Sequence, residues 1–140
     1  RDASVGLVAP RIRKDLNIPV AVQDSAKRNL TAALSVLDSG WLKQSQYLAG
    51  DQVTLADLAA YVEIGQLQPQ FTNVFDLSPF ANVQRWLEDM TRVDGHDDVH
   101  IVLAELGDIS EQAPSMDTIR NANRRALQVL KARQAELQGN

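Results

Sequence analysis

The sequence contains no cysteine. That excludes a disulfide scaffold, a thiol nucleophile and any cysteine metal site, and leaves the redox compartment open. No apolar run approaches the roughly 18–20 residues that a membrane-spanning helix needs. No basic-then-apolar leader stands at the start. No stretch alternates convincingly between apolar and polar residues, so no strand is predicted, and no internal repeat is visible. Positive charge is not in excess: the net charge is -4, which gives no overall electrostatic footprint for a nucleic acid. Aromatic residues are scarce at 5%, so Trp41, Trp86, Phe71, Phe75 and Phe80 are all expected to pack in the core. The chain opens on Arg1 rather than Met, and we expect it to be part of a longer or processed protein.

What is present is helical periodicity. At 140 residues, 44% hydrophobic and 23% charged, the chain has the material of one globular domain. Residues 1–18 carry Val5, Leu7, Val8, Ile12, Leu16 and Ile18 at helical spacing, with Pro10 either starting or kinking the helix. Asn17-Ile18-Pro19 ends that segment. Asp24 is expected to cap a second helix reaching about residue 39, with Ala26, Leu30, Ala33, Leu34 and Leu37 as its stripe and Gly40 as its stop. The apolar loop Phe71, Val74, Phe75 and Leu77 must lie on the core. Ser78-Pro79 reads as a cap followed by a first-turn proline, leading into a helix that faces inward with Phe80, Val83, Trp86, Leu87 and Met90. Asp94-Gly95 breaks it. The next helix covers 96–106, with Val99, Val102, Leu103 and Leu106 inward and Gly107 closing it. Ser115 caps a last, markedly basic helix expected on the outside of the molecule. Five to six helices with short loops predict an all-α bundle over residues 1–107. Residues 108–140 form a connector and a C-terminal extension helix packing on it.

One stretch has every start signal of a helix: Val53-Thr54-Leu55-Ala56-Asp57-Leu58. Thr54 is placed to cap, and Asp57, three residues on, to reach back to the Thr54 N–H, which makes a capping box. Val53 and Leu58 are placed as a hydrophobic staple. The helix that follows, over about 55–67, is apolar around most of its circumference and is expected to be central and buried. Thr54 and Asp57 are therefore read as structural, not catalytic.

Tyr47-Leu48-Ala49-Gly50-Asp51-Gln52-Val53-Thr54-Leu55-Ala56-Asp57-Leu58 resembles the signature of the C-terminal all-helical domain of cytosolic glutathione transferases. Ser78 through Trp86 resembles a later helix of the same domain. Asp97-Asp98-Val99-His100 and Asp117-Thr118-Ile119 make the layout most similar to theta-type members. The resemblance implies a cytoplasmic detoxification enzyme whose glutathione, its co-substrate, is held by an N-terminal thioredoxin-like domain. That domain is the implied partner, a homodimer is implied too, and the family's catalytic residues have no positions in this chain. What the resemblance leaves to these residues is a wall of the electrophile pocket, expected from Val8, Arg11 and Ile12 of the first helix and Met116 and Ile119 of the last. By itself the chain is expected to bind no cofactor and to be inactive. The competing reading is a non-catalytic interaction module of the same fold, of the kind found in translation-factor and aminoacyl-tRNA synthetase complexes.

Other polar clusters were weighed against plainer explanations. His96 and His100 stand at i and i+4, a zinc-ligand spacing, but no third ligand has a clear case, and His96 is expected to be solvated at a helix start. Arg11, Arg13 and Lys14 could meet an anionic electrophile, against a solvated basic face. Arg120, Arg124, Arg125, Lys131 and Arg133 lack the interleaved aromatics of a nucleic-acid surface and read as a solvated helix. Tyr47 and Tyr61 are candidate acids by type, but no partner histidine or lysine is expected beside either.

Overall fold

The computed structural model describes residues 1–139, and every regular element among them is helical. The first helix, α1, is π-wound over Asp2–Val8 and α-helical over Ala9–Ile12. Pro10 cannot donate to the carbonyl of Gly6, four residues back, and the wider π winding gives its ring room. A short 3-10 turn, Lys14–Leu16, ends at Asn17 in the left-handed region, with φ of 46°. Helix α2 covers Val20–Val36 and runs on through a π turn, Leu37–Trp41, into Leu42–Gln44. Helix α3 is Leu55–Ile64 with a 3-10 turn, Gly65–Leu67, at its end. Then come α4, Ala81–Met90, α5, His96–Leu106, and α6, Met116–Gln138.

The core is one cluster. Leu30, Leu34 and Leu42 of α2, Tyr61, Ile64 and Leu67 of α3, and Val83, Trp86, Leu87 and Met90 of α4 meet Phe75, Leu77 and Phe80 from the connecting loop. That loop does lie on the core, because four large apolar side chains in seven residues have no better place. α1 lies so close to α2 that a Cβ on Gly6 would fall 2.1 Å from the Cβ of Ala26. Ala3 and Val8 are buried beside that contact.

Several helix boundaries differ from the sequence expectation, each for a tertiary reason. α2 begins at Val20, directly after Pro19, and not at Asp24. Gly40 does not stop α2. It sits inside the π turn, and that turn lets Asp38 accept from the N–H groups of Asn82 (2.7 Å) and Val83 (3.0 Å). So α4 is capped from α2 and not by Ser78, and it starts at Ala81. In return, Arg85 of α4 donates to the carbonyls of Leu42 (2.8 Å) and Ser45 (3.1 Å), where α2 ends. Both helix ends thus satisfy orphan groups across the contact. Asp38→Ala is expected to cost about 1–2 kcal/mol, as for other lost N-caps, read as a lower urea midpoint with unchanged slope.

Burial also redistributes. Trp41 is exposed, while Trp86 is wholly buried. α3 is not enclosed: Leu55 is 80% exposed, Val62 65% and Leu58 45%. Val53 packs on the core and Leu58 is half exposed. On α5, Val99 is exposed and His96 is buried, the reverse of the sequence reading. Ile109, in the polar connector, plugs the core, and its N–H donates to the Thr72 carbonyl. α6 packs on α5 through Ala122 and Ala126, and Leu127, Leu130 and Leu137 stay exposed. None of the described helices is long and apolar enough to cross a membrane.

Candidate functional site

Two polar networks sit on α3, one turn apart. At the N-terminal end the Asp57 carboxylate is completely buried. Its Oδ2 accepts from the N–H (2.9 Å) and hydroxyl (2.8 Å) of Thr54. Its Oδ1 accepts from the Leu48 N–H (2.8 Å) and the Trp86 indole (3.0 Å). The box between Thr54 and Asp57 is closed. Its weight lies on the carboxylate, because the Asp57 N–H also meets the Thr54 carbonyl at 3.1 Å. Burial pushes this carboxyl up, but the four donors outweigh it and hold the group below the ordinary aspartate range. With every acceptor site occupied and no access to solvent, Asp57 is an architectural tie between the 47–50 turn, α3 and α4.

One turn on, Tyr61 meets α5. Its hydroxyl lies 2.8 Å from His96 Nε2 and accepts from Gln68 Nε2 at 3.0 Å. His96 Nδ1 lies 2.8 Å from Asp97 Oδ1, and His100 Nδ1 lies 2.7 Å from the His96 carbonyl. The partners fix the tautomers. His96 Nδ1–H donates to Asp97, so in the neutral ring Nε2 accepts from Tyr61, and His100 Nδ1–H donates to the carbonyl. The two imidazoles stack at 4.4 Å, and the Tyr61 ring stands edge-on to both of them and to Trp86. Burial pushes the Tyr61 hydroxyl up, the Gln68 donor works against that, and the Asp97 charge adds to it. Burial, above all, holds His100 below its ordinary value, against the pull of its hydrogen bond to the His96 carbonyl. Burial, which raises the Tyr61 hydroxyl, disfavours loss of its proton at neutral pH, so Tyr61 stands here as a neutral hydrogen-bonding group. The tyrosine thus has a histidine partner after all, 35 residues away in sequence. Nothing in the local pattern around either residue signals that pairing.

Beside this network opens an apolar cleft of about 480 Å³ between α3 and α5. Leu58, Val62, Val93, Val99 and Leu103 line it, with Tyr61, His96 and His100 at its base. Among the described residues no cluster of three or more histidine, aspartate or glutamate side chains is placed to hold a metal ion.

The residues singled out from sequence for the electrophile wall differ in burial. Val8 is in the core, Ile12 packs against it, and Arg11 is exposed. Met116 is exposed and Ile119 half-buried on α6, which packs on α5. Of the basic residues, Arg13 forms a two-pronged pair with Asp15 (2.9 and 2.8 Å). Arg125 pairs with Glu105, and Arg133 with Asp94 at 2.9 Å. These last two fasten α6 to α5 and its preceding turn.

The model of the family described as "Glutathione S-transferase, C-terminal domain" matches residues 4–94, from α1 to the turn before α5. No solved structure matches the chain.

Proposed function

The chain belongs to the glutathione S-transferase C-terminal-domain family, and from that premise we propose that it is the electrophile-side half of a theta-type transferase. In this reading a thioredoxin-like domain carries glutathione and its activating residue. The present residues supply the apolar wall against which a small electrophile meets the sulfur. The observation that carries the reading is the bare face of α3. Leu55, Leu58 and Val62 lie exposed along one helix that the family match places inside the domain, with Val99 of α5 beside them. Single exposed apolar residues are ordinary, but a contiguous row marks a surface that a partner covers. We assign that face to the thioredoxin-like domain.

Arg11 and Ile12 of α1, backed by Val8, and Met116 and Ile119 of α6 are the electrophile-wall residues of this proposal. The wall is complete only with the other domain in place. Residues 1–107 would be the domain proper and 108–140 its extension. A homodimer and a cytoplasmic, detoxifying role follow from the same reading.

Calorimetric titration of the 140-residue chain with glutathione is expected to give no binding heat. The full gene product is expected to conjugate glutathione to a small electrophile. Tight binding of glutathione to the chain alone would place the site here and overturn the reading. A full product without conjugating activity supports the interaction module instead.

A further inference from the structure

We propose that the stacked His96–His100 pair is a pH-sensitive latch that seats α5 on Tyr61 when both rings are neutral and lets α5 swing away when a ring takes up a proton. The inference starts from the hydrogen-bond inventory. The Tyr61 oxygen already accepts from Gln68, and its own hydrogen is satisfied only by His96 Nε2. A proton on Nε2 turns that nitrogen from acceptor to donor and leaves the Tyr61 hydroxyl hydrogen without an acceptor in a buried place. A proton on His100 instead puts a charge into a site where burial disfavours it, and the Phe71 ring stacked at 6.1 Å offsets only part of that. Charging both rings at 4.4 Å is still less favourable. Protonation at either ring therefore works against the seated position of α5.

The surroundings do little to offset this. From α3 the facing titratable group is Tyr61, which is neutral. α4 presents Met90 and the 68–71 loop presents Gln68 and Phe71, all without charge. On α5 itself, Asp97 bonds His96 Nδ1 at 2.8 Å and its charge also favours a proton on His100. It opposes the latch, and with its side chain 98% exposed water screens it. Asp94 and Asp98 are the remaining carboxylates nearby, and Arg133 of α6 engages both, at 2.9 and 3.9 Å.

The backbone permits the motion. α5 is bounded by Gly95 and Gly107, both with positive φ (78° and 63°), where glycine moves between wells without steric cost. Ile109, just beyond, remains plugged in the core. α5 can thus shift as a rod between two hinges, carrying α6 with it through the Arg125–Glu105 tie, while the Arg133–Asp94 pair, anchored before Gly95, has to give way. The movement widens the cleft and bares Tyr61.

The sign is fixed by the neutral seated state. His100 is held below its ordinary value, so the seated arrangement is fully favoured above about pH 6.5 and loses ground as pH falls through the seated-state value. For each proton taken up on opening, the open population rises about tenfold per pH unit in that window.

The absence of native cysteine makes the test direct. Spin labels are placed at Leu55→Cys on α3 and Ala104→Cys on α5, both exposed positions. A control pair is Arg28→Cys with Ala56→Cys, on α2 and α3. Between about pH 8 and about pH 5, the span over which histidine changes charge, the first pair is expected to gain a longer distance and the control pair to stay fixed. The change is expected to vanish in His96→Gln/His100→Gln, where neither side chain can charge. An unchanged distance in the parent chain overturns the latch. So does a control pair that moves too, because that is global acid unfolding, and so does a transition that survives in the glutamine variant. Should the double variant not fold, His100→Gln alone must at least shift the transition to a different pH, and an identical transition counts against the latch.

Discussion

Asp57→Ala is expected to lower stability by about 3–5 kcal/mol, a drop of roughly 10–20 °C in the melting temperature. The side chain holds four donors from three parts of the chain: Leu48, Thr54 and Trp86. Removing it orphans the buried Trp86 N–H outright, while the Leu48 and Thr54 donors, only part-buried, recover some hydrogen bonding to water. Bonds to a charged acceptor contribute about 1.5–3 kcal/mol each, which is why the total exceeds that of an ordinary cap. The same residue gives an acid limb to the stability curve. Its folded-state value is depressed, so its contribution is fully present above the ordinary aspartate value of about 3.9 and is lost as pH falls through the folded-state value. Asp57→Asn should melt between the parent and the alanine variant and show a flatter acid limb, because it keeps one acceptor oxygen and the shape but cannot titrate. Urea melts at several pH values check both points. An alanine variant that melts with the parent would show that Asp57 ties nothing together.

Asp57 also shows how far the sequence could be read. Its box with Thr54 is local, three residues apart, and was legible from spacing alone. Its bonds to Leu48 and Trp86, 9 and 29 residues away, were not. The same division runs through the fold. Helix existence followed from periodicity, and the Ser115 cap on α6 is where the sequence placed it, with the Thr118 N–H at 3.0 Å. The boundaries that moved were those set by another element: Asp38 reaching from α2 to cap α4, and the π turn that carries α2 past Gly40. Burial of α3 was misread because hydrophobicity reports what a helix can bury, not what a given stretch of chain supplies to cover it. The Tyr61–His96 contact escaped for the opposite reason. A histidine at a helix start looks solvated until a tyrosine from another helix is known to face it.

Trp86→Ala is the second large effect, expected at about 3–5 kcal/mol. The indole is wholly buried, stands edge-on to Tyr61 at 5.9 Å and donates to Asp57. It therefore links the Asp57 network to the Tyr61–His96 network one turn further along α3. Trp86→Phe separates the terms: it keeps most of the apolar volume and loses the N–H, at an expected cost of about 1.5–3 kcal/mol. A double-mutant cycle with Asp57→Ala should be non-additive by about 0.5–3 kcal/mol, because each single change removes the same bond. Fluorescence gives an independent reading. Trp41 is 58% exposed and Trp86 is 0% exposed, so acrylamide should quench the first readily and leave a blue-shifted remainder from the second. That remainder should disappear in Trp86→Ala while the Trp41 signal persists. If the cycle proves additive, the 3.0 Å contact carries no stabilisation of its own, and α3 and α4 are joined by packing alone.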